Sequence, residues 1–174
     1  QSPYVSLTIV NDTYGDWCMP PEEQHLIHSQ DPARKTDGAI LSTTVYYDLL
    51  NKMVKFAELC GQTADIPAYQ KLAAEMKEAY NAKYFNRETA QYGNNTVTAN
   101  ILSLRLGLVP EGFEQKVFDN IVRKTEDDFG GHVSTGVLGI QHLMRGLTEY
   151  GRKDLALKIV TNETYPSWGY MINK

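Results

Sequence analysis

Ser42-Thr43-Thr44-Val45-Tyr46-Tyr47-Asp48-Leu49-Leu50-Asn51-Lys52-Met53-Val54-Lys55-Phe56-Ala57-Glu58-Leu59-Cys60-Gly61 is the stretch that decides the fold. Its apolar residues fall at Val45, Tyr46, Leu49, Leu50, Met53, Phe56, Ala57 and Cys60, one stripe of a helix of about 3.6 residues per turn. Ser42 is the expected N-cap, and Gly61 stands where a left-handed residue closes a helix. A second helix is expected from Pro67, because proline tolerates a first turn whose N–H would be unpaired anyway. Tyr69, Leu72, Ala73, Met76, Tyr80 and Tyr84 form its stripe.

The pattern repeats downstream. Thr96 to Leu106 carries Val97, Ile101 and Leu104 and ends at Gly107. Glu111 to about Asp127 carries Phe113, Val117, Ile121 and Val122. Thr135 to Tyr150 carries Leu138, Ile140, Leu143, Met144 and Leu147 and ends at Gly151. Asp154 to about Asn162 carries Leu155, Ile159 and Val160. Val5 to Val10 is the one stretch that alternates like a strand. The periodicity therefore predicts an all-α chain of six helices in three hairpins. Residues 1–41 form an extended lead and loop, residues 42–174 the hairpins, and no low-complexity linker divides them.

Composition narrows the class. The chain has 174 residues, 42% hydrophobic and 22% charged, with 17 Lys+Arg against 21 Asp+Glu for a net charge of −4. That is an ordinary globular balance. No Lys/Arg cluster marks a nucleic-acid partner, and no run of about 18 apolar residues marks a membrane span. Cys18 and Cys60 make neither a disulfide scaffold nor a metal-site spacing. The chain opens Gln1-Ser2-Pro3, without an initiator Met or a signal peptide, as expected of a processed product or a piece of something longer.

The connections are of two kinds, and they alternate. Residues 61–65, 107–110 and 151–153 are short turns. Residues 12–21, 86–95, 129–134 and 165–170 are longer and hold Gly, Asn, His, Trp and Asp. Alternate connections of an up-and-down array lie at one end, so one end is plain and the other decorated. Loops on a rigid scaffold are where sites sit. The N-termini of the first, third and fifth helices feed that end and present unpaired N–H donors.

Several residues there could carry chemistry. Trp17 follows Gly15-Asp16; an aromatic face stacks on sugar C–H groups while a carboxylate accepts hydroxyl hydrogen bonds. Equally, Trp17 is a loop residue packed on the core and Asp16 a turn or cap. Trp168, in Tyr165-Pro166-Ser167-Trp168-Gly169-Tyr170, poses the same choice. His132 follows Gly130-Gly131, where the backbone can approach a ligand closely; its alternative is a loop histidine satisfied by backbone groups. Asn95 either caps a helix within Asn94-Asn95-Thr96 or reaches a ligand. His25, His28 and His142 form no metal constellation with acidic residues. Glu22, Glu23, Asp31, Asp127 and Asp128 read as solvated, and no catalytic triad follows from spacing.

Taken as a set, the loops resemble a known family. Tyr14-Gly15-Asp16-Trp17, Phe85-Asn86 through Tyr92-Gly93-Asn94-Asn95-Thr96-Val97-Thr98-Ala99, Leu106-Gly107-Leu108-Val109-Pro110, Gly130-Gly131-His132-Val133-Ser134-Thr135-Gly136 and Glu163-Thr164-Tyr165-Pro166-Ser167-Trp168-Gly169-Tyr170-Met171 occur in that order. Together they are similar to the catalytic region of bacterial α-L-rhamnosidases, over nearly the whole chain from Tyr14. The resemblance implies about half of an α/α toroid of six helical hairpins. It implies inverting hydrolysis of terminal α-L-rhamnosides, one carboxylic acid protonating the leaving oxygen and a second carboxylate activating water across roughly 6.5–9.5 Å. That chemistry needs no metal or organic cofactor. It implies a rhamnose-containing glycoside and the remainder of a parent polypeptide as partners. Asp16, Trp17, Asn95, His132 and Trp168 would line or flank the sugar.

The family's acid loop lies upstream of its Gly-Asp-Trp motif, and its base follows the Tyr-Pro-Ser-Trp-Gly-Tyr-Met segment in a Gly-Ala-Thr-Thr-x-Trp-Glu motif. Neither has a match here, so both catalytic carboxylates are expected outside this chain and the chain alone is expected to be inactive. Three hairpins cannot close a ring of six, so apolar surface should be exposed. The rival readings are a helical-repeat binding module, against which the lack of a fixed repeat period counts, and another α/α-toroid glycosidase or lyase.

Overall fold

A computed structural model describes residues 15–174. The alternating stretch at residues 5–10 lies outside them. Among the described residues the structure is all-α apart from one two-residue hairpin. In chain order the elements are α1 (Gly38–Leu59), α2 (Ile66–Tyr84), β1 (Phe85–Asn86), β2 (Gln91–Tyr92), α3 (Val97–Arg105), α4 (Glu114–Arg123), α5 (Val137–Glu149), α6 (Lys153–Thr161) and α7 (Trp168–Ile172). A 3-10 turn at Pro32–Arg34 precedes α1, another at Thr63–Asp65 joins α1 to α2, and a π-helical turn at Lys124–Asp128 extends α4.

The six expected helices are present, and their starts differ where capping chemistry decides them. α1 begins at Gly38, not after Ser42, because the Asp37 carboxylate accepts the Ala39 N–H at 2.9 Å. Ser42 lies inside the helix and donates back to the Ala39 carbonyl at 3.4 Å. α4 begins at Glu114 rather than Glu111 because Gly112, at φ +82°, interrupts any earlier turn. α5 begins at Val137 rather than Thr135, with Gly136 at its N-cap. Thr96 caps α3 as expected, taking the Ala99 N–H on its hydroxyl. Gly61 is left-handed at φ +70°. The hairpin β1–β2, with Phe85 opposite Tyr92 and Asn86 opposite Gln91, is too short to show a period in sequence.

α1, α3 and α5 form an inner row, α3 packing on α1 to one side and on α5 to the other. α2, α4 and α6 each pack on the inner helix of their own hairpin. This is the two-layered wall of an α/α toroid, three hairpins long. The core between the layers holds Ile40, Tyr80, Tyr92, Ile101, Phe118, Ile121, Leu143, Leu147 and Ile159. A smaller cluster of Leu50, Ala73 and Met76 lies between α1 and α2.

α5 approaches α3 through small residues. A Cβ on Gly139 would stand 2.5 Å from Thr98 Oγ1 and 2.7 Å from Thr135 Cβ; one on Gly146 would stand 2.5 Å from Ile101 Cδ1. Two glycines seven residues apart, with fully buried Leu143 between them, leave a groove into which α3 sets its side chains.

The long connections gather at one end. Asn94 Nδ2 donates to the Lys35 carbonyl at 2.9 Å, Thr36 and Thr96 hydroxyls meet at 2.7 Å, and Tyr165 Oη donates to the Pro21 carbonyl at 3.2 Å. The segment before α1 is thus laced across the loops that precede α3 and α7.

Candidate functional site

The decorated end is organised by residues 15–18. Gly15 is left-handed at φ +59°, and a Cβ there would meet the Thr36 carbonyl at 2.9 Å, so only glycine lets the chain pass. Asp16 is then buried, with 7% of its surface exposed. Its Oδ2 accepts the Gly136 N–H at 2.7 Å and the Thr98 hydroxyl. Its Oδ1 accepts the N–H groups of Leu138 at 3.0 Å and Gly139 at 3.3 Å. The Trp17 carbonyl takes the remaining N–H, that of Val137, at 2.8 Å. Four donors that the first turn of a helix leaves unpaired are all satisfied by this one dipeptide. A carboxylate there also favours the positive end of the α5 dipole. The expectation of free donors at these helix starts is corrected accordingly: Asp16 and Trp17 fill those of α5, Asp37 serves α1, and Thr96 serves α3.

Clamping Asp16 inward turns Trp17 outward. Its side chain is 67% exposed, so it is not packed on the core. It borders a cleft of about 520 Å³ with His28, Gln30, Arg34 and Lys35. Trp168 borders a neighbouring cleft of about 440 Å³ with Pro20, Ile140, Tyr165 and Tyr170. Cys18, left-handed at φ +59°, stands on the wall of both. Trp168 opens α7, where Ser167 caps by accepting the Tyr170 N–H at 3.0 Å. Tyr165 and Tyr170 meet edge to face at 5.3 Å on the wall of the second cleft, beside Trp168.

Asn95 and His132 border neither cleft. Asn95, left-handed at φ +62°, accepts on Oδ1 from Asn100 Nδ2 and Asn120 Nδ2, each at 2.7 Å. It ties the loop before α3 to both α3 and α4. His132 Nδ1 lies 2.8 Å from the Phe129 carbonyl, which can only accept, so Nδ1 carries a proton. Nε2 then meets the Thr164 hydroxyl at 2.9 Å. His132 therefore fastens the loop before α5 to the loop before α7.

The segment before α1 carries side chains that sequence reasoning passed over. Glu22 is not merely solvated: its carboxylate accepts from the Ser29 hydroxyl and from the Gln30 N–H at 3.2 Å. Burial alone would push its carboxyl up, but these bonds and the nearby Arg34 guanidinium outweigh that and hold it below the ordinary range. Arg34 also stacks 4.8 Å over the Phe129 ring. Asp31 caps the Pro32–Arg34 turn through Ala33 N–H at 2.8 Å. Nothing periodic marks this segment, so contacts across the fold alone reveal it. No group of three or more His, Cys, Asp or Glu placed to hold a metal occurs among the described residues. No helix among them is long and apolar enough to cross a membrane.

A two-layered row of helical hairpins, with its loops and two aromatic-walled clefts at one end, belongs to the α/α-toroid class. Within that class the chain belongs to the family described as the bacterial alpha-L-rhamnosidase six-hairpin glycosidase domain, whose model matches residues 3–174. An alpha-L-rhamnosidase of Formosa agariphila is 30% identical over 95% of this chain, and one of Streptomyces avermitilis is 28% identical over 94%. The chain spans 17% and 14% of those relatives' lengths. In three dimensions it superposes on the alpha-L-rhamnosidase of Dictyoglumus thermophilum with a TM-score of 0.80 and 34% identity, covering 92% of this chain and 17% of that one. The Streptomyces avermitilis alpha-L-rhamnosidase complexed with L-rhamnose gives a TM-score of 0.80 at 26% identity, covering 94% and 14%.

Proposed function

We propose that this chain forms part of the wall of an α-L-rhamnoside-hydrolysing site, holding the sugar while other parts of the polypeptide supply the acid and the base. The observation that carries this reading is the outward, 67% exposed Trp17 on a backbone pinned by Asp16. An indole that no packing among the described residues explains, on a rigid mount beside a cleft, suits a platform for the C–H face of a sugar. Trp168 is the second platform. Asp16, Asn95 and His132 hold the loops rather than touch the sugar, since their polar atoms are engaged within the chain.

Hydrolysis of the inverting kind needs two carboxyl groups facing each other across a substrate and a water. No carboxylate among the described residues lines the cleft at Trp168. Beside Trp17 stand Asp16, committed to α5, and Asp31, committed to its own turn. The chain alone therefore binds L-rhamnose without cleaving rhamnosides. L-Rhamnose titrated against tryptophan fluorescence should give a saturable change that Trp17→Ala abolishes. An unchanged titration in that variant would overturn the platform. Turnover of an aryl α-L-rhamnoside by the chain would overturn the division of labour.

A further inference from the structure

Four groups in a row join the loop before α5 to the loop before α7: the Phe129 carbonyl, the His132 ring, the Thr164 hydroxyl and the Asn162 side chain. The Phe129 carbonyl takes the backbone N–H of His132 at 2.9 Å and lies 2.8 Å from its Nδ1. A carbonyl accepts only, so Nδ1 is protonated. At the other end, Asn162 Oδ1 accepts the Thr164 N–H at 2.9 Å. That bond fixes the amide, because the opposite orientation would set its NH2 group against an N–H donor. The same oxygen accepts the Thr164 hydroxyl at 2.7 Å. A hydroxyl has one proton, and here it points to Asn162. Thr164 Oγ1 also lies 2.9 Å from His132 Nε2, which is left as the donor of that contact. The row is complete with a proton on both ring nitrogens. A neutral ring protonated on Nδ1 leaves one hydrogen for two contacts, Nε2 to Oγ1 and Oγ1 to Oδ1, and one of them opens.

What the row holds is the support of Trp168. Asn162 is the C-cap of α6, and the first turn of α7 sits on it. A Cβ on Gly169 would stand 2.5 Å from the Asn162 carbonyl oxygen and 3.1 Å from Glu163 Cα. Trp168 precedes Gly169 in that turn and lines the second cleft. A shift of Asn162 and Thr164 therefore moves the backbone that sets the indole on the cleft wall.

The charged groups on the elements around the ring have both signs. Lys158 of α6 runs beside Gly131, where a Cβ would stand 2.7 Å from its Nζ, and Arg34 stacks over the Phe129 ring. These cations oppose a charged imidazole. Asp127 and Asp128 close the π-helical turn, and Glu163 precedes Thr164; these favour it. Asp128 is itself paired with Lys124 at 2.7 Å.

We infer that His132 is a positioning residue whose charged ring locks Trp168 in place, so that the site takes L-rhamnose more tightly when the ring is protonated than when it is neutral. The inference rests on the reading of Trp168 as a sugar platform. The second ring proton comes from solvent and returns to it. Histidine is the side chain that ordinarily changes charge between pH 5 and 8, which is the interval to test.

The chain has two tryptophans, so Trp17→Ala leaves Trp168 as its one indole. In that variant acrylamide should quench Trp168 fluorescence less at pH 5.5 than at pH 8. Adding Thr164→Val removes the hydroxyl and should make quenching equal at both pH values, at the stronger level. Thr164→Ser keeps the hydroxyl and should restore the difference. With Trp17 intact, L-rhamnose affinity should be several-fold weaker at pH 8 than at pH 5.5 in the parent and in Thr164→Ser. In Thr164→Val it should not change with pH. A merely structural fastener would lower affinity equally at both pH values. A pH dependence of quenching that survives Thr164→Val overturns the inference, since another group would then carry it. So does a flat quenching profile in the Trp17→Ala variant itself. Should Thr164→Val not fold, the ring nitrogen resonances of His132 in the parent decide. Protons on both nitrogens at pH 5.5, with that on Nε2 lost by pH 8, support the inference, and an Nε2 that is never protonated in this interval overturns it. Failure of L-rhamnose binding at both pH values would count against the sugar platform and leave quenching and resonances to decide on His132.

Discussion

The Oδ2 atom of Asp16 accepts the backbone N–H of Gly136 at 2.7 Å, across 120 residues of sequence. That bond and its companions hold the loop bearing Trp17 against the start of α5. Hydrogen bonds to a buried charge are worth about 1.5–3 kcal/mol each, and they are not additive. Asp16→Ala should therefore cost about 3 kcal/mol, which in a domain of this size lowers the melting temperature on the order of 6–12 °C. Asp16→Asn keeps one acceptor oxygen but turns an NH2 group towards N–H donors, so it should fall short of the parent too. Thermal unfolding followed by circular dichroism reads both. A loss below about 0.5 kcal/mol for Asp16→Ala would refute the clamp.

Trp17 and Trp168 should separate stability from binding. Trp17 has most of its side chain in solvent, so Trp17→Ala should shift stability by no more than about 0.5 kcal/mol while abolishing the L-rhamnose response. Trp168 packs against the main core and opens α7, so Trp168→Ala should cost roughly 1–3 kcal/mol and weaken binding as well. Chemical denaturation paired with an L-rhamnose titration distinguishes the two. Equal stability losses in both variants would contradict the placement of Trp17.

The helices were legible in sequence because a 3.6-residue stripe is a local signal. Phe56 shows the limit of that signal, since it belongs to the stripe of α1 yet lies on the open face. Periodicity marks an apolar face without saying what covers it. The start of α5 was misplaced because its cap is supplied by Asp16, far away in sequence, whereas that of α3 was found because Thr96 caps within its own turn. The ordered loop sequences named the family but could not divide the proposed sugar platforms from residues that fasten loops. That division depends on where the polar atoms of Asp16, Asn95 and His132 find partners, and those partners lie on other elements.

Gly139 is a helix-interior position where alanine should harm. Replacing glycine by alanine inside a helix ordinarily stabilises by up to about 1 kcal/mol. Here the new methyl would meet Thr98 Oγ1 at 2.5 Å, Thr135 Cβ at 2.7 Å and Asp16 Oδ2 at 3.0 Å, all of them held in place. Overpacking of this kind costs about 1–3 kcal/mol, so Gly139→Ala should be net destabilising. It should also loosen the Asp16 clamp, raising hydrogen exchange at the N–H groups of Gly136 and Leu138. A stabilised variant would show that α5 can back away from α3 without loss.

His142 should make the fold acid-sensitive. Its ring is half-buried on α5, with Nδ1 buried and without a hydrogen-bond partner. Burial disfavours the charged ring, and the Arg105, Arg145 and Lys52 cations add to that, while Asp48 opposes it. The net effect holds His142 below the ordinary histidine range of about 6.5. The unfolded chain then binds the proton more readily than the folded one. Stability is complete above about pH 6.5 and is lost as pH falls through the folded value. His142→Gln keeps a polar side chain of similar reach without the titration. The urea midpoint of the parent should therefore fall further between pH 7.5 and pH 5.5 than that of the variant. Parallel pH profiles would show that some other group carries the acid sensitivity.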